Sequence, residues 1–510
     1  MDNDLPAVIG NTRSVAAEDH RESIGGEADP SKRPDVVMIE SGGLHAHWSP
    51  ARGHLRLLDL THNQGIQRCF GIRPDCVGRP HALTLLGPEK SAAARAGRAS
   101  LAHHGGARLP TLAASSRCDQ HLPADTVRRV SNDANALVED FRARIGREPT
   151  GVWAAPGRVN LIGEHTDYND GYVMPFALAQ RVLVAGAPRR VGTWSVTSLN
   201  NDSTRVFEAA DLQPGMTGWQ AYVAGVVWAL HEAGHRVDGA DLVLTSDVPE
   251  GAGLSSSAAL ECAVLTALAD LNDLDIAGLE RAKLARRSEN VFVGAPTGLM
   301  DQAAATLCTA DHALFFDCRT YDAEQVRFDT ASAGLEILVL DTKTPHALVD
   351  SEYAARRASC EEAARLLGVA ALRDVTDLAA ALDQLPDPVI QRRVRHVVTE
   401  NTRVLEAVEI LRAGRIADLA PLLDASHESM RDDFEITVPQ VDLAVETARA
   451  SGALGARMTG GGFGGCIIAL VPAGEAKRIG GEIARRFASA GYGPPAQFTA
   501  VPSAGAQRLK

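Results

Sequence analysis

The stretch Pro156-Gly157-Arg158-Val159-Asn160-Leu161-Ile162-Gly163-Glu164-His165-Thr166-Asp167 governs how the rest of the chain is read. Glu164, His165 and Asp167 put two carboxylates and an imidazole within four residues, close behind Arg158, which is too much polarity for an ordinary core turn. Apolar residues bracket the cluster: Val159, Leu161 and Ile162 within it, then Val173, Met174, Pro175 and Phe176. That pattern suits a polar loop supported by buried strands, with carboxylates placed to accept hydrogen bonds from a polyol. A solvated loop carries the same residue types, so the stretch alone leaves both readings open.

Working outward, Thr126–Ile145 has the period of an amphipathic helix, and Gly151–Ala154 reads as a short strand leading into the polar stretch. Further on, Val182–Ala185, Leu242–Leu244 and Leu335–Leu340 suit strands, whereas Ala258–Leu271, Glu361–Leu367 and Val441–Ala450 suit helices. Strands and helices interleave without an internal repeat, which predicts an α+β or mixed α/β enzyme of two lobes with a cleft between them.

The 510 residues leave room for two to four domains and a large core. A composition of 45% hydrophobic and 23% charged residues is that of a soluble globular protein. The net charge of −13 works against a general nucleic-acid or anionic-membrane binder, so an anionic ligand would need a local positive site. No apolar run is long enough for a membrane span, and the acidic start Met1-Asp2-Asn3-Asp4 lacks the apolar stretch of a signal peptide, which points to the cytoplasm. The eight cysteines form no C-x-x-C and fit reduced structural thiols. Residues 1–123 hold nine of the 16 histidines with little sustained apolar period, and read as a non-catalytic extension, disordered or wrongly joined to the gene.

Pro249-Glu250-Gly251-Ala252-Gly253-Leu254-Ser255-Ser256-Ser257-Ala258-Ala259-Leu260-Glu261 couples a glycine turn to serines and a good helix. Such a helix start presents free N–H groups and a positive dipole end to an anion, a phosphate above all. An ordinary Ser-capped helix has the same sequence, and this segment alone decides nothing between them. None of the six lysines follows a glycine, which removes a Walker A loop, and His-Arg-Asp and Asp-Phe-Gly are absent. Gly460–Gly465 satisfies G-x-G-x-x-G but precedes the strand-like Cys466–Val471, so it reads as a tight loop near the site rather than a dinucleotide fingerprint. His231-Glu232-Ala233-Gly234-His235 matches the zinc motif H-E-x-x-H, yet Gly234 reads as the end of the helix and throws His235 off it. Asp301 follows an apolar pair in Gly298-Leu299-Met300-Asp301-Gln302, with Glu289 upstream on a helical stretch.

With these residues in view, Gly157–Gly171 resembles the signature of the galactokinase family of GHMP small-molecule kinases. Pro249–Ala259 resembles that superfamily's phosphate loop, and Gly455–Cys466 its third motif. The resemblance covers residues 124–505. It implies a two-lobed α+β GHMP kinase fold, with an N-terminal mixed α/β lobe over 124–330, a C-terminal ferredoxin-like lobe over 331–510 and the active site in the cleft. It implies galactose bound by Arg158, Glu164, His165, Asp167, Gly298, Asp301 and Tyr353. ATP would be cradled by Gly251, Ala252, Gly253, Leu254, Ser255, Ser256 and Ser257, with Ser198 near the nucleotide and Mg²⁺ held by Ser257 and Glu289. Asp301 would act as base or charge partner for the 1-hydroxyl and Arg158 would stabilise the developing oxyanion. Thr297 stands where relatives often carry Cys. Galactose and ATP would be the only partners, with no nucleic acid or membrane, and the chain would act as a monomer. Rival sugars, mevalonate and a non-catalytic galactose sensor are the alternatives; the Glu-His-Thr-Asp string argues against mevalonate, and the intact phosphate loop and Asp301 argue against a sensor.

Overall fold

The computed structural model describes residues 44–49, 54–59, 133–190, 192–344 and 349–510. Two units are distinguished, Met1–Asp119 and Gln120–Lys510. In the first, strands Leu44–Ser49 (β1) and His54–Asp59 (β2) pair antiparallel, Leu44 opposite Asp59. The expected non-conforming extension over residues 1–123 otherwise lies outside the described residues.

The second unit opens with Ala134–Ile145 (α1), where Asp133 caps the helix by accepting the N–H groups of Asn135 and Ala136 at 2.8 and 3.1 Å. The expected start at Thr126 lies outside the described residues. There follow Gly151–Asn160 (β3), Tyr172–Val173 (β4), Pro175–Pro188 (β5), Thr193–Ser198 (β6), Ser203–Glu208 (β7), Gln220–Glu232 (α2) and Ala240–Ser246 (β8). Next come Ser256–Leu271 (α3), Gly278–Arg287 (α4), Met300–Leu307 (α5), His312–Asp317 (β9) and Ala323–Arg327 (β10). The remainder is Leu335–Asp341 (β11), Val349–Leu367 (α6), Leu378–Gln384 (α7), Pro388–Arg412 (α8), Ala420–Ser429 (α9), Pro439–Ala450 (α10), Gly455–Thr459 (β12), Cys466–Pro472 (β13), Ala476–Ser489 (α11), Ala496–Ala500 (β14) and Gln507–Arg508 (β15).

The first large sheet has the order β15-β3-β5-β8-β6-β7 and is antiparallel except where β6 runs parallel to β8. Strand alternation sorts its side chains. Trp153, Ala155, Val182 and Val184 enter the core shared with α3, while Val152, Ala154, Leu183 and Ala185 meet Leu137 and Phe141 of α1. Both faces are thus covered, and β3 is buried at every position. β4, β9 and β10 make a small separate sheet.

The second large sheet, β12-β13-β11-β14, is antiparallel throughout. Its chain order of strand, helices, two strands, helix and strand is the ferredoxin-like arrangement. Leu338, Leu340, Ile467 and Ala469 pack with Val445, Ile479 and Ile483 of α10 and α11. The opposite face sends Ile337, Val339, Ile468 and Leu470 into the core of the first sheet, which joins the lobes. The fold is therefore the expected two-lobed α+β arrangement, with the change of sheet between β10 and β11. The chain's end returns to the first sheet: β15 pairs with β3, Gln507 opposite Ala154, and Ser503 bridges Ala177. This covers what would otherwise be an open edge of β3.

Candidate active site

A register shift between Pro156 and Arg158 turns β3 inward at the point where the chemistry begins. The buried Arg158 guanidinium reaches Asp301 Oδ1 at 2.7 Å from Nη2 and 2.8 Å from Nε, and donates from Nη1 to the Gly253 carbonyl at 2.6 Å. Burial opposes the Arg158 charge, but Asp301 and Glu164 outweigh it and hold its pKa above the ordinary value. The other Asp301 oxygen accepts the Ser255 hydroxyl at 2.5 Å.

That last bond corrects one local expectation. Ser255 precedes α3 but makes no capping hydrogen bond, because its hydroxyl is turned to Asp301. It sits at φ 59°, a left-handed conformation costing a non-glycine residue on the order of 1 kcal/mol. The first N–H groups of α3 are thereby left for a ligand.

Beyond β3 the signature loop is largely buried. Glu164 Oε1 accepts the Gly460 N–H at 2.9 Å and pairs with Arg457 at 3.1 Å, while Oε2 accepts Asn160 Nδ2 at 2.7 Å. Burial pushes its pKa up, and Arg457, Asn160 and Arg158 pull it back. His165, also left-handed at φ 60°, has Nε2 3.1 Å from the Gly461 carbonyl and Nδ1 2.7 Å from the Tyr168 hydroxyl. A carbonyl can only accept, so Nε2 carries the proton and Tyr168 donates to Nδ1. Burial, with a smaller contribution from His396, pushes the His165 pKa down to about 3, so the ring is neutral. Asp167 Oδ1 accepts the Tyr168 N–H at 3.0 Å; burial and then Asp301 push its pKa up to about 6.

The groups that hold this loop escaped sequence reading. On α8, His396, Glu400 and Asn401 face inward at helical spacing. Glu400 accepts the N–H groups of Gly163 and Glu164 at 2.9 and 3.3 Å, the Ser426 hydroxyl at 2.8 Å and Arg403 Nε at 2.7 Å. Despite burial, Arg403 and Arg457 bring its pKa down to about 2. His396 Nε2 meets the Glu164 carbonyl at 3.1 Å, and Asn401 accepts the Tyr172 N–H at 2.9 Å. Arg457 on β12 also donates to the Leu161 carbonyl at 2.8 Å. The only sequence signal was a run of polar residues at helical spacing in α8, which reads as a solvated face.

These elements enclose a cavity of about 830 Å³. Arg158, Glu164, His165, Asp167, Gly298, Asp301 and Tyr353 all line it, so the expected sugar residues come together. Gly298 is forced by Asp167: a Cβ there would lie 1.7 Å from Asp167 Oδ2. Gly251, Gly253, Leu254, Ser255, Ser256 and Ser257 line the same cavity, whereas Ala252 is buried in the core behind it. Gly460 and its neighbours form a further wall, and a Cβ on Gly460, at φ 94°, would sit 2.9 Å from the Gly253 carbonyl. The glycine run thus lets the third motif press against the phosphate loop, as expected of a tight loop near the site.

Besides Ala252, two expected residues stand apart. Ser198 does not line the cavity: it is buried at the end of β6, where its hydroxyl accepts the Asn201 N–H at 3.3 Å and serves the turn into β7. Glu289 lies just behind the wall, 4% exposed, hydrogen-bonded to Ser257 and Thr297. Tyr222 and the segment 293–296 line the cavity without having been singled out. In H-E-x-x-H, α2 ends at Glu232 and Gly234 is left-handed, so His235 leaves the helix as expected.

Family models match in the order the motifs stand. The galactokinase galactose-binding signature covers residues 139–188, the GHMP kinase N-terminal domain 221–309 and the GHMP kinase C-terminal domain 407–489. The galactokinase of Streptomyces coelicolor is 52% identical over 381 residues, 74% of this chain and 98% of the relative. The crystal structure of Lactococcus lactis galactokinase complexed with galactose superposes with a TM-score of 0.70 at 33% identity, over 74% of this chain and 99% of that one. The Methanococcus jannaschii mevalonate kinase, at 16% identity and a TM-score of 0.52 over 69% of this chain and 98% of its own, shares the fold alone. Identity over almost the whole length of the Streptomyces enzyme, together with the galactose-binding signature on the very loop that lines the cavity, makes this chain a member of the galactokinase family of GHMP kinases.

Proposed function

We propose that the chain transfers the γ-phosphoryl group of ATP to the 1-hydroxyl of D-galactose, giving α-D-galactose 1-phosphate and ADP. The observation that carries this reading is the place of Asp301: one oxygen is held by Arg158 of β3, the other by Ser255 of the phosphate loop. A hydroxyl seated on Asp301 therefore faces the loop that cradles phosphate. Its oxygen bonds to the γ-phosphorus as the bond to the β-phosphate oxygen breaks, and its proton passes to an Asp301 oxygen. Arg158, always cationic, offsets negative charge building on the attacking oxygen. Glu164, His165, Asp167, Gly298 and Tyr353 form the sugar pocket, and Glu164 and His165 are held rigidly enough to reject an epimer whose hydroxyl points elsewhere.

On the nucleotide side, Gly251, Gly253 and Leu254 through Ser257 surround the phosphates, with the start of α3 aimed at them. The Ser257 hydroxyl and Glu289 carboxylate are hard oxygen donors, a set that fits Mg²⁺, which takes few protein ligands and keeps phosphate oxygens and water. When bound, Mg²⁺ would supply charge neutralisation at the β- and γ-phosphates. We take the working unit to be the monomer, and we place it in the cytoplasm, where ATP is available.

The test is ADP release by the purified chain with Mg-ATP and galactose, glucose, N-acetylgalactosamine, arabinose or mevalonate. Turnover with galactose far above the others is expected. Turnover with mevalonate alone would reject the sugar reading, and galactose binding without ADP release would make the chain a sensor.

A further inference from the structure

Glu289 stands in the turn Ser288–Val293, and its Oε2 atom receives two hydrogen bonds. Gln302 Nε2 donates at 2.7 Å, and Thr297 Oγ1 lies 2.9 Å from the same oxygen and 3.0 Å from Asn290 Oδ1, so its one proton is shared between two acceptors. Gln302 is fully buried and follows Asp301 on α5, so neighbouring residues of one helix serve the cavity and the carboxylate behind it. Thr297 is itself fixed. Its N–H donates to Asn290 Oδ1 at 3.1 Å, and Asn290 Nδ2 donates back to the Thr297 carbonyl at 3.0 Å. At the near end of the same loop, the N–H groups of Gly294 and Ala295 both bond the Glu289 carbonyl, at 2.9 and 3.0 Å. The loop is closed on itself at both ends while residues 293–297 line the cavity. Behind it, Glu261 of α3 is fully buried.

We propose that Thr297 and Gln302 are positioning residues for the divalent cation: by occupying Glu289 Oε2 they leave Oε1 to the cation beside Ser257. This rests on the kinase reading of the site. Neither side chain needs to touch nucleotide or sugar; each acts through Glu289. A carboxylate with one oxygen held by two fixed donors does not have to be reoriented when the cation arrives, and loss of such support around a ligand commonly weakens metal binding about 10- to 100-fold.

The test titrates Mn²⁺ into the full chain in the presence of a non-hydrolysable ATP analogue, following bound Mn²⁺ by electron paramagnetic resonance, with galactose affinity measured in parallel by calorimetry. Thr297→Val should weaken Mn²⁺ by about tenfold or more, Thr297→Ser should restore it, and Gln302→Met should weaken it similarly, all with galactose affinity unchanged within about twofold. Wild-type Mn²⁺ affinity in a folded Thr297→Val variant, even one with a lowered melting temperature, would overturn the proposal by leaving Thr297 a purely structural role. Should Thr297→Val not fold, Gln302→Met decides in the same way. Failure of the unaltered chain to bind Mn²⁺ at all would sink the kinase reading, and this inference with it.

Discussion

Arg158 places two nitrogens on a single oxygen of Asp301, at 2.7 and 2.8 Å, and so leaves the second oxygen to Ser255. The carboxylate is pinned between a strand of the first sheet and the loop before α3, and it cannot swing without breaking a contact to one wall of the cavity.

Asp301→Asn keeps the shape of that group and removes its charge and most of its basicity. Turnover should fall by about 10²- to 10⁴-fold, the usual worth of a positioned acid or base, while galactose still binds within a few-fold of the unaltered chain. Steady-state rates and calorimetric binding on the same preparation separate the two effects; a near-normal rate would remove Asp301 from the chemistry.

Gly298→Ala tests the packing under the sugar. A methyl group 1.7 Å from Asp167 Oδ2 cannot be accommodated without displacing that carboxylate. The expected outcome is a rise of about tenfold or more in the KM for galactose, since a small misplacement of a positioning group has a large kinetic effect. The KM for ATP should barely move. Equal increases in both constants would show a general distortion instead.

Asp167 also gives the site a pH signature. Its pKa is pushed from 3.8 to about 6, so the group is ionised above that pH and protonated below it. If the ionised form accepts a sugar hydroxyl, galactose affinity should fall as pH drops from 7 through 6 toward 5, and Asp167→Asn should bind weakly with a flat profile. An unaltered chain that binds galactose equally at pH 5 and 7 contradicts this role.

Glu400 predicts how the fold answers to acid. Its folded pKa of about 2 lies below the ordinary 4.5, so its contribution is complete above pH 4.5 and is lost as pH falls from 4.5 to 2. His396, brought from 6.5 to about 4 by burial, acts in the same direction: the unfolded chain takes up its proton first, and stability declines between pH 6.5 and 4. Glu400→Gln should cost about 3–5 kcal/mol at pH 7, because Arg403 loses its buried partner. Denaturant melts across pH should also show a shallower decline for this variant between pH 4.5 and 2. A parallel decline would assign the acid sensitivity elsewhere.

What could be read in advance was what lies close together in sequence. Leu335–Leu340, Ala258–Leu271, Val441–Ala450 and Cys466–Val471 are elements of the fold because each carries its own period and turn residues. Much of the cavity lining was legible for the same reason, since those walls are short contiguous motifs, whereas Tyr222 and residues 293–296 carry no such motif. The supports were not: Glu400 meets Gly163 across 237 positions and Arg457 meets Leu161 across 296, distances over which no local pattern operates. Ser255 misled in the opposite sense, because its local chemistry as a helix cap is overridden by a partner 46 residues away. Ser198 is occupied by its own turn, a local demand that the family resemblance does not carry.

The return of β15 to β3 bears on how this chain is made. The ferredoxin-like lobe is inserted into the first lobe's chain path, and among the described residues the outer edge of β3 at Trp153 and Ala154 is paired by Gln507 and Arg508 alone, which are synthesised last. On a ribosome, which releases a chain from its N-terminus, the strand that carries Arg158 is therefore finished last, and a nascent chain halted a few residues early would present that edge to its neighbours.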